Sequence, residues 1–233
     1  MKKTLFSLLF LFAASGLLFA QDTLYIYYNN DWAEVSDKSE AVYYRKAFPA
    51  GNSEWIVNDF YMNDKIQMTG TYKSKKFTVR NGHFVYYSEN GNKASEGEYI
   101  NEKLEGLWTY WHDNGQKKAE GMYGDSEKAG TWNYWYDNGR LQSKETYKKA
   151  GSGSIEGFHE NGVTSFKGNF GINGPQGTWM YWNSDGRVTF SGNFKNGLRE
   201  GEWTRSFRDG ETKIVYKYGV PEGKRTGGIV RNE

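Results

Sequence analysis

Gly106-Leu-Trp-Thr-Tyr-Trp-His-Asp-Asn-Gly115 is rewritten along the chain as Gly130-Thr-Trp-Asn-Tyr-Trp-Tyr-Asp-Asn-Gly139 and Gly177-Thr-Trp-Met-Tyr-Trp-Asn-Ser-Asp-Gly186. Looser copies run from Gly82 to Gly91, Gly153 to Gly162 and Gly201 to Gly210. The opening glycines stand at 82, 106, 130, 153, 177 and 201, in steps of 24, 24, 23, 24 and 24 residues. A fixed period of this size marks a repeat array, in which one unit cannot bury its own face and stacks on its neighbours.

Within each copy, a strand opening at Gly-x-Trp runs into Asp-Asn-Gly, Glu-Asn-Gly or Ser-Asp-Gly. A second strand then closes on Gly97-Glu-Tyr99, Gly121-Met-Tyr123, Gly168-Asn-Phe170 or Gly192-Asn-Phe194, with Gly70-Thr-Tyr72 as a precursor. Asn-Gly and Asp-Gly tolerate the positive φ that tight hairpin turns require. Connections such as Ile100-Asn-Glu-Lys-Leu-Glu105 read as polar turns. The expected fold is all-β: an elongated antiparallel β-hairpin repeat array, a single-sheet meander of about a dozen strands capped at its N-terminal end.

Working outward, residues 1–20 read as a secretory signal, with Lys2 and Lys3, an apolar run from Leu5 to Phe12 and cleavage near Ala20. Residues 21–69 read as the cap. Thr23–Tyr28 is strand material, Asn29–Asp31 a turn, and Pro49–Ser53 a loop; Ala41–Arg45 suits a strand and Ser36–Glu40 a helical turn. Trp55–Tyr61 and Lys65–Tyr72 flank Asn63-Asp64 as a degenerate hairpin. The array spans 70–219, and 220–233 reads as a flexible tail. Export to the periplasm or beyond follows from the signal.

Composition narrows the function. Aromatics make up 18% of the chain, with 29 Gly and 3 Pro, which suits strands punctuated by glycine turns. The absence of Cys excludes disulfides, thiol nucleophiles and thiolate metal sites. The formal charge of +2 rests on Lys2 and Lys3, so the chain after residue 20 has 28 basic and 28 acidic residues. Nucleic acid is therefore not the expected partner.

Side chains alternate across a strand, so Phe84, Trp108, Trp132, Trp179 and Trp203 share one face with Tyr110, Tyr134 and Tyr181. These read as structural columns that stack across strands. Tyr87, Trp111, Trp135, Phe158 and Trp182 point to the other face, where a sheet covered on one side would be polar. They are either half-covered by Lys and Arg stems or left as a partner-binding surface. Gly153–Gly162 has lost the Trp and Tyr of its neighbours, which leaves a thinner stretch that reads as drift or a ligand notch. Catalysis has little support. His83, His112 and His159 fall in different copies, and Asp113, Asp137, Glu160, Asp185 and Asp209 recur in turns, where Asp bonds the backbone. No catalytic residue, metal site or cofactor is expected.

The frame Gly-x-Tyr, Gly-x-Trp-x-Tyr, Asp-Asn-Gly resembles the MORN-repeat variant of bacterial proteins over residues 55–219, best at 97–147 and 168–203. The resemblance implies a non-enzymatic hairpin array used for protein contact, with membrane association in some members. It also implies an antitoxin-like role in a toxin–antitoxin module, a role at odds with an exported chain if the toxin is cytoplasmic. A weaker likeness, through Gly-Thr-Trp-x-Tyr, is to wall-binding hairpin repeats that hold sugars between aromatics. The readings are thus an exported scaffold that binds an envelope protein, an antitoxin or immunity protein, and a glycan or cell-wall binding module.

Overall fold

The computed structural model describes residues 23–148 and 151–226. Residues 1–20, read above as a secretory signal, and 227–233 of the expected tail lie outside the described residues. Seventeen antiparallel strands form one sheet, each pairing with the next in the chain. At about 4.8 Å per strand, the 17 strands extend the sheet across roughly 80 Å. Among the described residues no helix is long and apolar enough to cross a membrane.

The cap comprises β1 (Leu24–Tyr28), a single 3₁₀ turn at Lys38–Glu40, β2 (Tyr43–Gly51), β3 (Glu54–Tyr61) and β4 (Ile66–Tyr72). Pro49 to Gly51, expected in a loop, belong to β2, and the turn shrinks to Asn52 and Ser53, both at positive φ. The array follows as β5 (Gly82–Tyr87), β6 (Lys93–Ile100), β7 (Lys103–Trp111), β8 (Lys117–Gly124), β9 (Glu127–Trp135), β10 (Leu141–Tyr147), β11 (Gly153–Phe158) and β12 (Thr164–Gly171). It continues through β13 (Gly174–Trp182), β14 (Val188–Lys195), β15 (Leu198–Phe207) and β16 (Gly210–Lys217). The last strand, β17 (Val220–Thr226), pairs with β16, so residues 220–226 extend the sheet where a tail was expected.

Two turn types alternate along the edges. Ile100–Glu105 is not a long polar turn: Ile100 pairs with Lys103, leaving Asn101 and Glu102 at φ 52° and 70°. Positive φ at both central residues is the mirror-image turn that matches strand twist. The other edge carries the Asp-Asn-Gly loops. There Gly115, at φ 82°, donates its N–H to the His112 carbonyl, and the register shifts between Tyr110 and Trp111.

Asparagine recurs in these loops because it is used at both ends. Asn114 Oδ1 accepts from the Gln116 N–H at 3.0 Å, while Nδ2 donates to the Asp137 carbonyl of the next loop at 2.6 Å. Asn90 reaches the Asp113 carbonyl at 3.0 Å, Asn138 the Glu160 carboxylate at 3.1 Å and Asn161 the Ser184 carbonyl at 2.7 Å. At the next loop the position is Asp185, which has no amide to donate.

Candidate functional site

The first surface is the ladder face. Trp108, Trp132, Trp179 and Trp203 are at most 8% exposed, and Phe84 is fully buried, although the sheet is a single layer. Burial is achieved by laying each ring flat over a glycine of the preceding strand. A Cβ built on Gly97, Gly121, Gly168 or Gly192 would stand 2.2–2.3 Å from the facing indole. The opening glycine of the frame has a separate task. Gly106 (φ 68°), Gly130 (61°), Gly177 (65°) and Gly201 (72°) sit in bulges of the forward strands. Each indole N–H then donates to a carbonyl ten residues earlier, as in Trp108 to Glu98 at 3.2 Å and Trp132 to Met122 at 3.0 Å. Tyrosines and phenylalanines edge these rings, with Tyr123 4.9 Å from Trp132 and Phe194 4.9 Å from Trp203. Tyr110, Tyr134 and Tyr181 are half-buried on the same face.

The fourth copy departs in a coordinated way. Its Trp is Ile155, the glycine that would face that ring is Glu145, and no bulge interrupts the β10–β11 register. Gly157 replaces the Tyr, and the Phe166 ring fills the space its Cβ would take, at 2.2 Å. Glu145 accepts from Tyr134 Oη at 3.0 Å and Tyr147 Oη at 2.5 Å. Lys128 bonds the Tyr134 hydroxyl and lies 4.6 Å over the Trp132 ring, and burial holds its ammonium below the ordinary lysine range against the pull of Glu145. Burial, and then the Glu145 charge, push the Tyr134 phenol upward. A polar knot thus replaces the missing rung.

The opposite face carries Tyr87, Trp111, Trp135, Phe158 and Trp182, all half-buried. Lys93 Nζ sits 5.5 Å over Trp111 and Lys117 Nζ 5.9 Å over Trp135, each lysine also bridging a glutamate, Glu96 or Glu120. On these two rings the stems supply the cover. More open are Leu107 and Met122, paired across β7 and β8 at 54% and 46% exposure on the face that Trp111 occupies. The frame conceals them, because both stand at its variable positions beside Gly106 and Gly121.

Two of the three histidines serve the loop edge. His112 and His159 share a frame position, and each Nε2 bonds the carbonyl of the next copy's Trp135 or Trp182 at 2.9 Å. His83 lies 3.1 Å from Glu98. Among the described residues no cluster of three or more His, Asp or Glu side chains is arranged to hold a metal.

A third feature lies on the ladder face at its N-terminal end. A cleft of about 340 Å3 is lined by Trp32, Arg45, Asp59, Gln67, Met68, Tyr72, Phe77, Thr78, Arg80, Tyr86 and Glu102. Arg45 forks onto Asp59, Nε to Oδ1 at 2.7 Å and Nη2 to Oδ2 at 2.8 Å, with both residues buried. Burial pushes the Asp59 carboxyl up, opposed by the Arg45 bonds and charge. Burial also raises the Tyr72 phenol to about 12, against the Arg45 charge. Arg80 pairs with Glu102 at 2.8 Å and lies 4.0 Å from the Tyr99 centroid. Residues from three cap strands (β2, β3 and β4), from β5, from two loops and from the Asn101-Glu102 turn meet here, and no sequence period joins them.

The MORN repeat variant matches residues 80–101, 104–125 and 128–149. Among curated proteins, none matches. Repeats of this kind are generally non-catalytic modules, often in binding proteins. Three consecutive MORN-variant repeats therefore span residues 80–149, and their described residues, 80–148, belong to one all-β antiparallel sheet.

Proposed function

We propose that this chain is an exported, non-catalytic repeat scaffold that docks another protein of the cell envelope on the face opposite the ladder. The observation that carries this reading is the Leu107–Met122 pair, two large apolar side chains about half exposed on the face that the half-buried Trp111 occupies. The ladder face satisfies its own rings with glycine and carbonyl partners, whereas this pair is left for a partner. His112 and His159 are spent on carbonyls of the next copy and His83 faces Glu98 across β5 and β6, so the histidines serve the sheet itself, which supports a binding scaffold.

The test is co-purification from envelope extract with the wild-type chain and with Leu107→Ser/Met122→Ser. The wild type is expected to enrich a defined partner, and the variant to lose it at an unchanged unfolding midpoint. Equal enrichment by both would place the interaction elsewhere. Cell fractionation checks export: a chain held in the cytoplasm would overturn that part.

A further inference from the structure

We infer that the cleft at the N-terminal end of the ladder face binds a neutral saccharide ring. Its charges come as two guanidinium–carboxylate pairs, Arg45–Asp59 and Arg80–Glu102, so the lining carries no net charge. An anionic or cationic ligand would gain from one member of each pair and be repelled by the other. Four surfaces remain useful: apolar ring faces, the free edge of a fixed guanidinium, carboxylate oxygens and an amide.

The ring faces are held at a conformational cost. Trp32 and Phe77 line the cleft from two separate loops, and both have left-handed backbones, at φ 58° and 50°. That region suits glycine or asparagine and is rare for bulky side chains. Trp32 is braced by stacking on Tyr43 at 4.4 Å and 6°, yet stays 39% exposed. Such a ring offers an apolar platform to the C–H face of a sugar.

The polar groups are fixed in the same way. Nε and Nη2 of Arg45 are spent on Asp59, and no buried polar side-chain atom of the described residues lacks a partner. The Nη1 edge therefore opens on the cleft that Arg45 lines. Gln67 stands in the β3–β4 bulge, between the Asp59–Met68 and Phe60–Ile66 pairs, which turns it to the same cleft. Each sugar hydroxyl both donates and accepts, and so matches an array of guanidinium, carboxylate and amide without needing a charge. The volume, about 340 Å3, lies at the low end of ligand pockets and suits a ligand of one or two rings.

The test uses the full chain, with tryptophan fluorescence and saturation-transfer NMR. The probes are glucose, galactose and N-acetylglucosamine, each as the monosaccharide and the β1,4-linked disaccharide, with uridine and glycine as comparators. At least one sugar is expected to saturate, and Trp32→Ala and Gln67→Ala are each expected to weaken it about tenfold or more. Trp32→Ala also unloads Tyr43, so Gln67→Ala, which leaves that stack in place, is the deciding variant. Ile172→Ser, exposed between β12 and β13 and away from the cleft, is expected to bind as wild type. No saturation by any sugar, tighter binding of uridine or glycine, or unchanged binding by Gln67→Ala would each overturn the assignment. The cleft and the Leu107–Met122 surface lie on opposite faces, so failure of either assignment leaves the other standing.

Discussion

Gly121 and Gly124 lie on one strand and differ in what each would meet as alanine. A Cβ on Gly121 stands 2.3 Å from the Trp132 ring, whereas one on Gly124 meets nothing within 4 Å. Gly121→Ala is therefore expected to cost about 1–3 kcal/mol, as overpacking does, and Gly124→Ala almost nothing; urea unfolding of the two variants checks the contrast. Glu102 makes a second residue-scale case. Burial works against its carboxylate, but the Arg80 hydrogen bonds and charge win and hold the carboxyl below its ordinary range. A depressed carboxyl contributes stability above the ordinary carboxylate range and loses it as pH falls through the folded value. Glu102→Gln is thus expected to cost stability near neutral pH and to converge with wild type in acid. With the Glu102 side chain 38% exposed, the difference stays below about 1 kcal/mol. Unfolding midpoints measured across pH read it out.

At the scale of the element, a working rung needs three things together: the ring, the glycine beneath it and the bulge that turns a carbonyl toward the indole. The fourth copy lacks all three, and for that reason it holds together. Ile155→Trp alone is expected to destabilise, because Glu145 occupies the floor the ring needs. Adding Glu145→Gly is expected to recover part of that loss, with a coupling of about 1–3 kcal/mol in a double-mutant cycle. Additive effects would mean that the glycine and the ring act independently. The frame Gly-x-Trp-x-Tyr made the strands, the two faces and the hairpin loops legible, because alternation and turn chemistry are local rules. The two-residue turns at Asn101-Glu102 and Asp125-Ser126 were not legible, since those residues adopt positive φ only when paired strands on both sides require it. The bulges at Gly106 and its equivalents were hidden for a related reason: the glycine is visible, but which of the two frame glycines faces the ring depends on register. The cleft was out of reach of any periodic argument. Trp32, Arg45, Asp59, Gln67 and Phe77 share no spacing and meet only because the loops that carry Trp32 and Phe77 come together with β2, β3 and β4 at one cleft.

At the scale of the molecule, each strand pairs only with its sequence neighbours, so stability is close to a sum of rungs and junctions. Removing residues 107–130 rejoins Gly106 to Thr131 and restores Gly-x-Trp in frame, because one period is 24 residues. That shortened chain is expected to fold, with a lower denaturant m-value in proportion to the surface lost; failure to show a cooperative transition would mean the sheet depends on contacts beyond nearest neighbours. The asparagine ladder along one edge has a consequence for how the molecule ages. Asn-Gly is the dipeptide most prone to deamidation, which proceeds by attack of the glycine amide nitrogen on the asparagine side chain. Here that nitrogen is engaged, Gly115 to the His112 carbonyl and Gly139 to the Tyr136 carbonyl, while the amide that must leave is bonded to the next loop. The folded protein is therefore expected to deamidate at Asn114, Asn138 and Asn161 many times more slowly than the urea-unfolded chain, as peptide mapping after alkaline incubation will show. Each asparagine converted to aspartate removes only its own tie and leaves the next loop tied, so the sites are expected to be lost independently of one another. The edge is in effect a clock that is stopped while the sheet stays folded.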